Sequence, residues 1–143
     1  MRTIVFLLFI LIAAQLPEQP VAAQPSQTVL ESQFERARAG DKAAQFSLGT
    51  RYRTGRGVAK SDTEAVKWLR RAAEQGYAPA QILLGSSYKH GLGVPKDLIQ
   101  AYMWYALAGA LRDTESLEPR MTGPQIAEAK RRAADWKRAH EKR

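Results

Sequence analysis

The strongest constraint on how this chain can fold is a direct internal duplication. Residues 39–74 and 75–110 are the same stretch written twice at an offset of 36, without a gap, and thirteen positions are identical. Among them are Gly40/Gly76, Gln45/Gln81, Gly49/Gly85, Tyr52/Tyr88, Gly55/Gly91 and Trp68/Trp104. A fixed period in this range marks a stack of identical supersecondary units, each burying its apolar face against the next. Such stacks mostly present surfaces to partners rather than pockets for chemistry.

Within one unit the apolar spacing is helical. Ala44, Leu48 and Tyr52 fall at i, i+4 and i+8, and Ala65, Trp68, Leu69 and Ala72 fall at i, i+3, i+4 and i+7. Each set forms one stripe on its helix. Gly55-Arg56-Gly57-Val58 separates the two helices, and Gly91-Leu92-Gly93-Val94 is its twin. A glycine just past a helix end supplies the left-handed cap that a side chain would penalise. The second helix of each unit opens on Ser61-Asp62-Thr63-Glu64 or Asp97-Leu98-Ile99-Gln100. Both have capping-box form, in which the first side chain accepts a free N–H and the fourth reaches back. Asp41 is a good N-cap for the first helix of unit one, whereas unit two has Tyr77 with Pro79 in the first turn. Gly49 and Gly85 interrupt their helices, which predicts close helix–helix contact, with Trp68 and Trp104 filling the remaining space.

These residues carry a resemblance. Ala44-Gln45-Phe46-Ser47-Leu48-Gly49, Tyr52, Gly55-Arg56-Gly57-Val58, Ala65, Trp68 and Ala72-Ala73-Glu74-Gln75-Gly76 resemble the Sel-one-like repeat (SLR), a relative of the tetratricopeptide repeat. The second unit matches through Ala80-Gln81, Leu84-Gly85, Tyr88, Gly91 to Asp97, Ala101, Trp104-Tyr105 and Ala108. Unit one departs from the pattern in having Ser61 where aspartate is usual, with Asp62 one place later. The resemblance implies an all-α fold, a short right-handed α/α solenoid of two helical hairpins. It also implies protein–protein interaction, with members acting as scaffolds in bacterial envelopes and in eukaryotic quality control.

Two units are few, since about three are needed to bury a continuous core. The flanks are expected to complete it. Val29, Leu30, Phe34 and Ala37 make a helical stripe over residues 24–38, ending at Gly40. In residues 111–143, Thr122-Gly123-Pro124-Gln125 opens a helix carrying Ile126, Ala129, Ala133 and Trp136, the expected C-terminal cap. Leu111 to Met121 reads as a short connection with Leu117 touching the core.

The first residues read as an export signal. Arg2 precedes an apolar run from Ile4 to Ala14, too short to span a bilayer, and Val21-Ala22-Ala23 offers a small-residue cleavage site. Residues 1–23 are therefore expected to be removed, the mature chain beginning at Gln24. That leaves about 120 residues, one ordinary domain without a transmembrane span. The alternative is a retained N-terminal anchor. With no cysteine, lipid modification of the N-terminus and a disulfide framework are excluded. The expected location is a bacterial periplasm or the medium. A net charge of +8 permits attraction to anionic partners such as an envelope polymer, a lipid or an acidic protein. Export weighs against nucleic acid.

Catalytic signals are sparse. There is no thiol, and the only histidines, His90 and His140, sit on different elements without metal-ligand spacing. Ser86-Ser87-Tyr88-Lys89 has the S-x-x-K form of penicillin-interacting serine enzymes, but neither S-D-N nor K-T-G follows. Thr50-Arg51-Tyr52-Arg53 repeats that spacing in unit one, which attributes it to repeat geometry. Some secreted relatives linked to β-lactam binding are cysteine-rich, and this chain is not. Nothing calls for a cofactor or a metal, and the chain reads as non-enzymatic.

Two basic clusters remain as partner-binding candidates. One is Arg51, Arg53 and Arg56 at the end of the first helix, continued by Lys89 and His90 one unit on. If first helices line a concave side, as in the tetratricopeptide relatives, Lys42, Gln45, Arg51 and Arg53 lie on or near it. The recurrence of Gln45 and Gln81 favours a structural role for both. The other cluster lies on the last helix, where Arg131, Arg132 and Arg138 are offered to an anionic surface or form a solvated end face.

Overall fold

The structure is a computed structural model and describes residues 25–141. The expected export segment, residues 1–23, lies outside the described residues. Seven helices are described: α1 Pro25–Arg38, α2 Lys42–Thr54, α3 Asp62–Glu74, α4 Ala78–His90, α5 Leu98–Leu107, α6 Leu111–Leu117 and α7 Gly123–His140. A single 3-10 turn, Glu118–Arg120, follows α6. The two hairpins, α2–α3 and α4–α5, stack through α3 and α4, with α1 against α2 and α7 against α5. The result is a short α solenoid closed at both ends.

The loop glycines do what their spacing predicts. Gly55 and Gly91 stand at φ 74° and 71° as left-handed C-caps, each donating its N–H to the carbonyl four residues back, Arg51 or Ser87. The second helices of both hairpins are capped, but by half a capping box. Ser61 Oγ accepts from Glu64 N at 3.2 Å and Asp97 Oδ1 from Gln100 N at 3.0 Å, with no return bond. The reason is local competition. The backbone N–H groups of Ser61 and Asp97 are already donated to the carbonyls of Tyr52 and Tyr88 at 2.8 and 3.0 Å. Glu64 turns instead to Lys67. The reciprocal box closes only at α7, between Thr122 and Gln125.

The glycines inside helices face a different neighbour from the one expected. A Cβ on Gly49 would lie 2.7 Å from Leu69 Cγ, and one on Gly85 would lie 2.9 Å from the Tyr105 ring. Leucine and tyrosine, at equivalent positions, press on these glycines. The tryptophans lie elsewhere in the core. Trp68 clusters with Ala37, Ala44 and Leu48, and Trp104 shares a cluster that includes Ala73, Ala80 and Leu84. Small residues do receive the indoles, but they are alanines.

Gln45 and Gln81 are structural, and for a single reason. Both are buried, and each donates from Nε2 to a carbonyl at the end of the preceding helix: Ala37 O at 3.0 Å and Ala73 O at 3.1 Å. Ala37 and Ala73 are themselves 36 residues apart. α1 therefore occupies the place of a second hairpin helix, so the repeat geometry begins before the repeated sequence does. Phe34 completes that packing, edge-on to Tyr52 and Trp68 at 6.4 Å.

At the other end α7 buries Ala129 and Ala133, and Trp136 meets Trp104 edge-on at 6.3 Å. Leu117 at the end of α6 is fully buried, as its sequence position suggested. Among the described residues no helix is long and apolar enough to cross a membrane.

Candidate functional site

The basic residues singled out in the sequence do not form one patch. Lys42 is exposed at the first turn of α2, and His90 is exposed at the end of α4. Arg51 is engaged in its own loop, donating from Nη1 to Arg56 O at 3.1 Å. Its guanidinium lies in front of Gly57, 3.3 Å from where a Cβ would stand. At the equivalent Gly93 that space is filled by backbone, the Asp62 carbonyl and Thr63 N of α3. Arg51 thus occupies a gap that the start of a helix fills one unit later. Its side chain lines a depression of about 410 Å³ with Gln27, Val29, Leu30, Arg56 and Gly57.

Arg53 and Lys89 hold equivalent positions in the last turn of the two first helices. Nearby, Tyr105 reaches from α5 across Gly85. Burial pushes the Tyr105 phenol above the usual tyrosine range, and the charge of Asp113 adds to that. A hydrogen bond with Ser86 and the positive charge of Arg53 pull the other way. Arg53 Nη1 is shielded from solvent and has no hydrogen-bond partner. Lys89 Nζ donates to Ser116 Oγ of α6 at 3.2 Å. Arg53, Ser86 and Tyr105 thus come together from α2, α4 and α5, while Lys89 reaches toward α6. Tyr105 was the residue sequence reading missed; the signal available was the Leu69/Tyr105 mismatch at an otherwise apolar position.

The same geometry speaks to the S-x-x-K spacing. Lys89 does not pair with Ser86; its Nζ donates to Ser116 instead. A serine nucleophile needs its base within hydrogen-bond reach. Among the described residues no group of three or more His, Cys, Asp or Glu side chains could hold a metal ion.

The basic last helix is partly paired from within, two carboxylates facing its five cations. Arg131 and Arg132 both pair with Glu128, and Arg138 pairs with Asp135. The Arg132 and Arg131 hydrogen bonds hold the Glu128 carboxyl below the usual range. At the far end of α7, His140 stacks on Trp136 at 3.7 Å beside a depression of about 490 Å³ shared with Gln45, Arg71, Glu74 and Gln75.

Known proteins agree with this architecture. A crystal structure of a protective antigen present in uropathogenic Escherichia coli strains, displaying an SLR fold, matches with a TM-score of 0.73 and 35% identity. That match covers 75% of this chain and 24% of the other. A Sel1 repeat protein from Oxalobacter formigenes matches with a TM-score of 0.56 and 40% identity, over 57% of this chain and 63% of that one. The chain therefore spans about a quarter of the first and less than two thirds of the second. A comparison with curated protein sequences finds no match. The Sel1 repeat family model matches residues 42–77 and 78–113, the same 36-residue period three residues later in phase. Sel1 repeat proteins generally act as protein–protein interaction modules. With both units matched, over just over half of its length, the chain belongs to the Sel1 repeat family.

Proposed function

We propose that this protein is an exported, non-enzymatic interaction module of the bacterial cell envelope that holds another protein. The observation that carries the reading is that the features repeated between the two units are used within the chain itself. The recurrent glycines, tryptophans and paired glutamines serve to fold and stack the hairpins, and Lys89 of the S-x-x-K spacing bonds to Ser116. What is left for function is surface. Export rests on the apolar run Ile4 to Ala14 followed by Val21-Ala22-Ala23. A protective antigen of the same fold is in keeping with a chain that leaves the cytoplasm.

The test is capture from native periplasm with the mature protein as bait, together with N-terminal sequencing of the exported form. The expected results are a retained protein partner and a sequence starting at Gln24. Recovery of no protein above a bait of shuffled surface charge, or retention of Met1 in a membrane fraction, would count against it. The alternative of an anionic envelope polymer held by α7 has fewer free charges to use than the sequence offers, because Arg131, Arg132 and Arg138 already have carboxylate partners.

A further inference from the structure

We propose that the N-terminal end of the solenoid docks on a bilayer surface, with Arg51 and Arg56 seating the phosphate of an anionic phospholipid. This goes beyond the interaction-module reading, since it concerns which end of the molecule meets lipid, whichever protein is held.

Two depressions at this end share one wall. The first, of about 410 Å³, lies between the start of α1 and the loop of hairpin one, beside Val29 and Leu30. The second, of about 390 Å³, lies on α2 and is lined by Phe46, Ser47, Thr50 and Thr54. Arg51 and Arg56 line both, so the pair stands between them. On the α2 side the hydroxyls are already used. Thr50 and Thr54 donate to carbonyls of their own helix, Phe46 O at 3.0 Å and Thr50 O at 2.8 Å. Ser47 Oγ accepts from Gln33 Nε2 at 3.3 Å. On the α1 side Val29 is 56% exposed and continues the apolar surface.

No acid balances the two cations. Neither depression is lined by Asp or Glu, and none of the six ion pairs among the described residues involves Arg51 or Arg56. Arg51 gives one nitrogen to the Arg56 carbonyl at 3.1 Å, which holds its guanidinium at the loop that carries Arg56. The end of a solenoid must be polar, and the gap before Gly57 accounts for the length of Arg51. Neither accounts for Arg56, which stands where unit two has Leu92. Arginine recognises phosphate through paired N–H donors. A phospholipid sets a phosphate beside two apolar chains, and here a cation pair is set between two depressions with largely apolar walls. A polysaccharide would meet the cations and leave both depressions empty.

Chain connectivity selects the same end. The apolar run Ile4 to Ala14 joins the described chain at Pro25, the start of α1, through residues 15–24. That stretch reaches at most about 35 Å. An export segment is handed to a membrane, so α1 and the hairpin-one loop are the part of the fold kept within reach of lipid. The loop, residues 55–61, adds Lys60 and no acid. Helix α7 lies at the other end of the stack, with its arginines already paired.

The test is co-sedimentation of the exported chain with vesicles of phosphatidylglycerol and phosphatidylcholine in equal parts, and with phosphatidylcholine alone. A net charge of +8 draws the chain to any anionic surface, so variants of equal charge are compared. Arg51→Gln with Arg56→Gln should weaken binding to the anionic vesicles by about thirtyfold. Arg131→Gln with Arg132→Gln removes the same charge and should weaken it by less than about threefold. Val29→Ser, which alters no charge, should weaken it by at least about threefold. Melting curves report whether each variant is folded; should Arg51→Gln unfold, Arg56→Gln alone is expected to lose about fivefold. Equal losses from the two double variants, or none from Val29→Ser, overturn the seat and leave charge attraction alone. Binding to phosphatidylcholine as tight as to the anionic vesicles overturns the role of the phosphate. Displacement by low-millimolar inorganic phosphate at constant ionic strength assigns the two arginines to a soluble anion and overturns the bilayer. Capture of a native protein that depends on Arg51 and Arg56, with vesicle binding kept in their double variant, gives this surface to a protein instead. Loss of vesicle binding leaves the capture result standing, and failed capture leaves the vesicle result standing.

Discussion

Gly57 and Gly93 are the same residue at the same place in two copies of one hairpin, and they should respond unequally to alanine. Both have positive φ, 77° and 70°. Adding a Cβ therefore carries the same left-handed penalty at each, about 1–2 kcal/mol. The surroundings differ. At Gly57 the nearest atoms are the tips of two flexible side chains, Arg51 Nη1 at 3.3 Å and Leu30 Cδ2 at 3.9 Å. At Gly93 the new Cβ would fall inside contact distance of the Asp62 carbonyl and 2.8 Å from Thr63 N. Those atoms are backbone at the first turn of α3, and they cannot rotate away. Relief requires moving the loop off α3, which separates the two hairpins. Forced overpacking of this kind costs about 1–3 kcal/mol more. At roughly 4 °C per kcal/mol for a chain of this size, Gly57→Ala should lower Tm by about 4–8 °C. Gly93→Ala should lower it by about 8–20 °C. Urea titration followed by circular dichroism gives the same comparison as free energies. Equal losses at the two sites would refute the claim that the loop of hairpin two is seated on α3 and that Arg51 stands in for that seat in hairpin one.

Other perturbations test other joints. Gly49→Leu should abolish cooperative folding, because its Cβ alone would lie 2.7 Å from Leu69 Cγ and 3.2 Å from Ala65 O; a melting temperature near wild type contradicts this packing. Gln81→Leu keeps the volume but removes one of the hydrogen bonds to the Ala73 carbonyl, which keeps the Gly76 N–H at 2.9 Å, and should cost about 0.5–1.5 kcal/mol by urea titration. Met103→Lys places an ammonium among Trp104, Ala133 and their neighbours at a site 8% exposed, and should cost several kcal/mol, whereas Lys67→Met at the equivalent exposed site loses one surface pair worth about 0–1 kcal/mol. The Asp41 carboxyl is held below its usual range, chiefly by the Ala44 N–H and then by Arg36. Its contribution is therefore present above the ordinary aspartate pKa and lost as pH falls through the lowered folded value. Tm measured from neutral to strongly acidic pH should fall less steeply for Asp41→Asn than for the wild type.

Much of the fold was legible because it depends on local rules. Glycine past a helix end, serine or aspartate before a helix start and apolar residues at helical spacing need no knowledge of the neighbours. The glutamines were legible for another reason: Gln45 and Gln81 recur in step, and a recurrent buried amide has a recurrent backbone partner. The misses all depend on tertiary contact. Glu64 and Gln100 look able to close their capping boxes, but the N–H each would reach is already taken by the carbonyl of a residue nine positions earlier. Gly49 and Gly85 announced a close approach without saying that Leu69 and Tyr105 make it. For the candidate site, the sequence supplied Arg53 and Lys89 as members of clusters. It could not show that Arg51 turns into its own loop while Arg53 turns toward Tyr105.

That distinction changes how the mismatches between copies should be read. In an isolated pair of sequences, Arg51 against Ser87 and Lys67 against Met103 look like the places where specificity was added. In the stack they report position. Ser87 is buried in hairpin two, which has α3 on its preceding side, and Arg51 fills the space where hairpin one has only the start of α1. Met103 is buried in a cluster with Ala133 of the capping helix α7, whereas Lys67 faces solvent. An end of a solenoid must be polar where its interior is apolar, so these differences follow from having ends. Leu69 against Tyr105 is of another kind. Both positions are buried and both press on a glycine, so an apolar residue would have sufficed at either. The phenol adds a polar group beside Ser86 and Arg53 that burial against a glycine does not require.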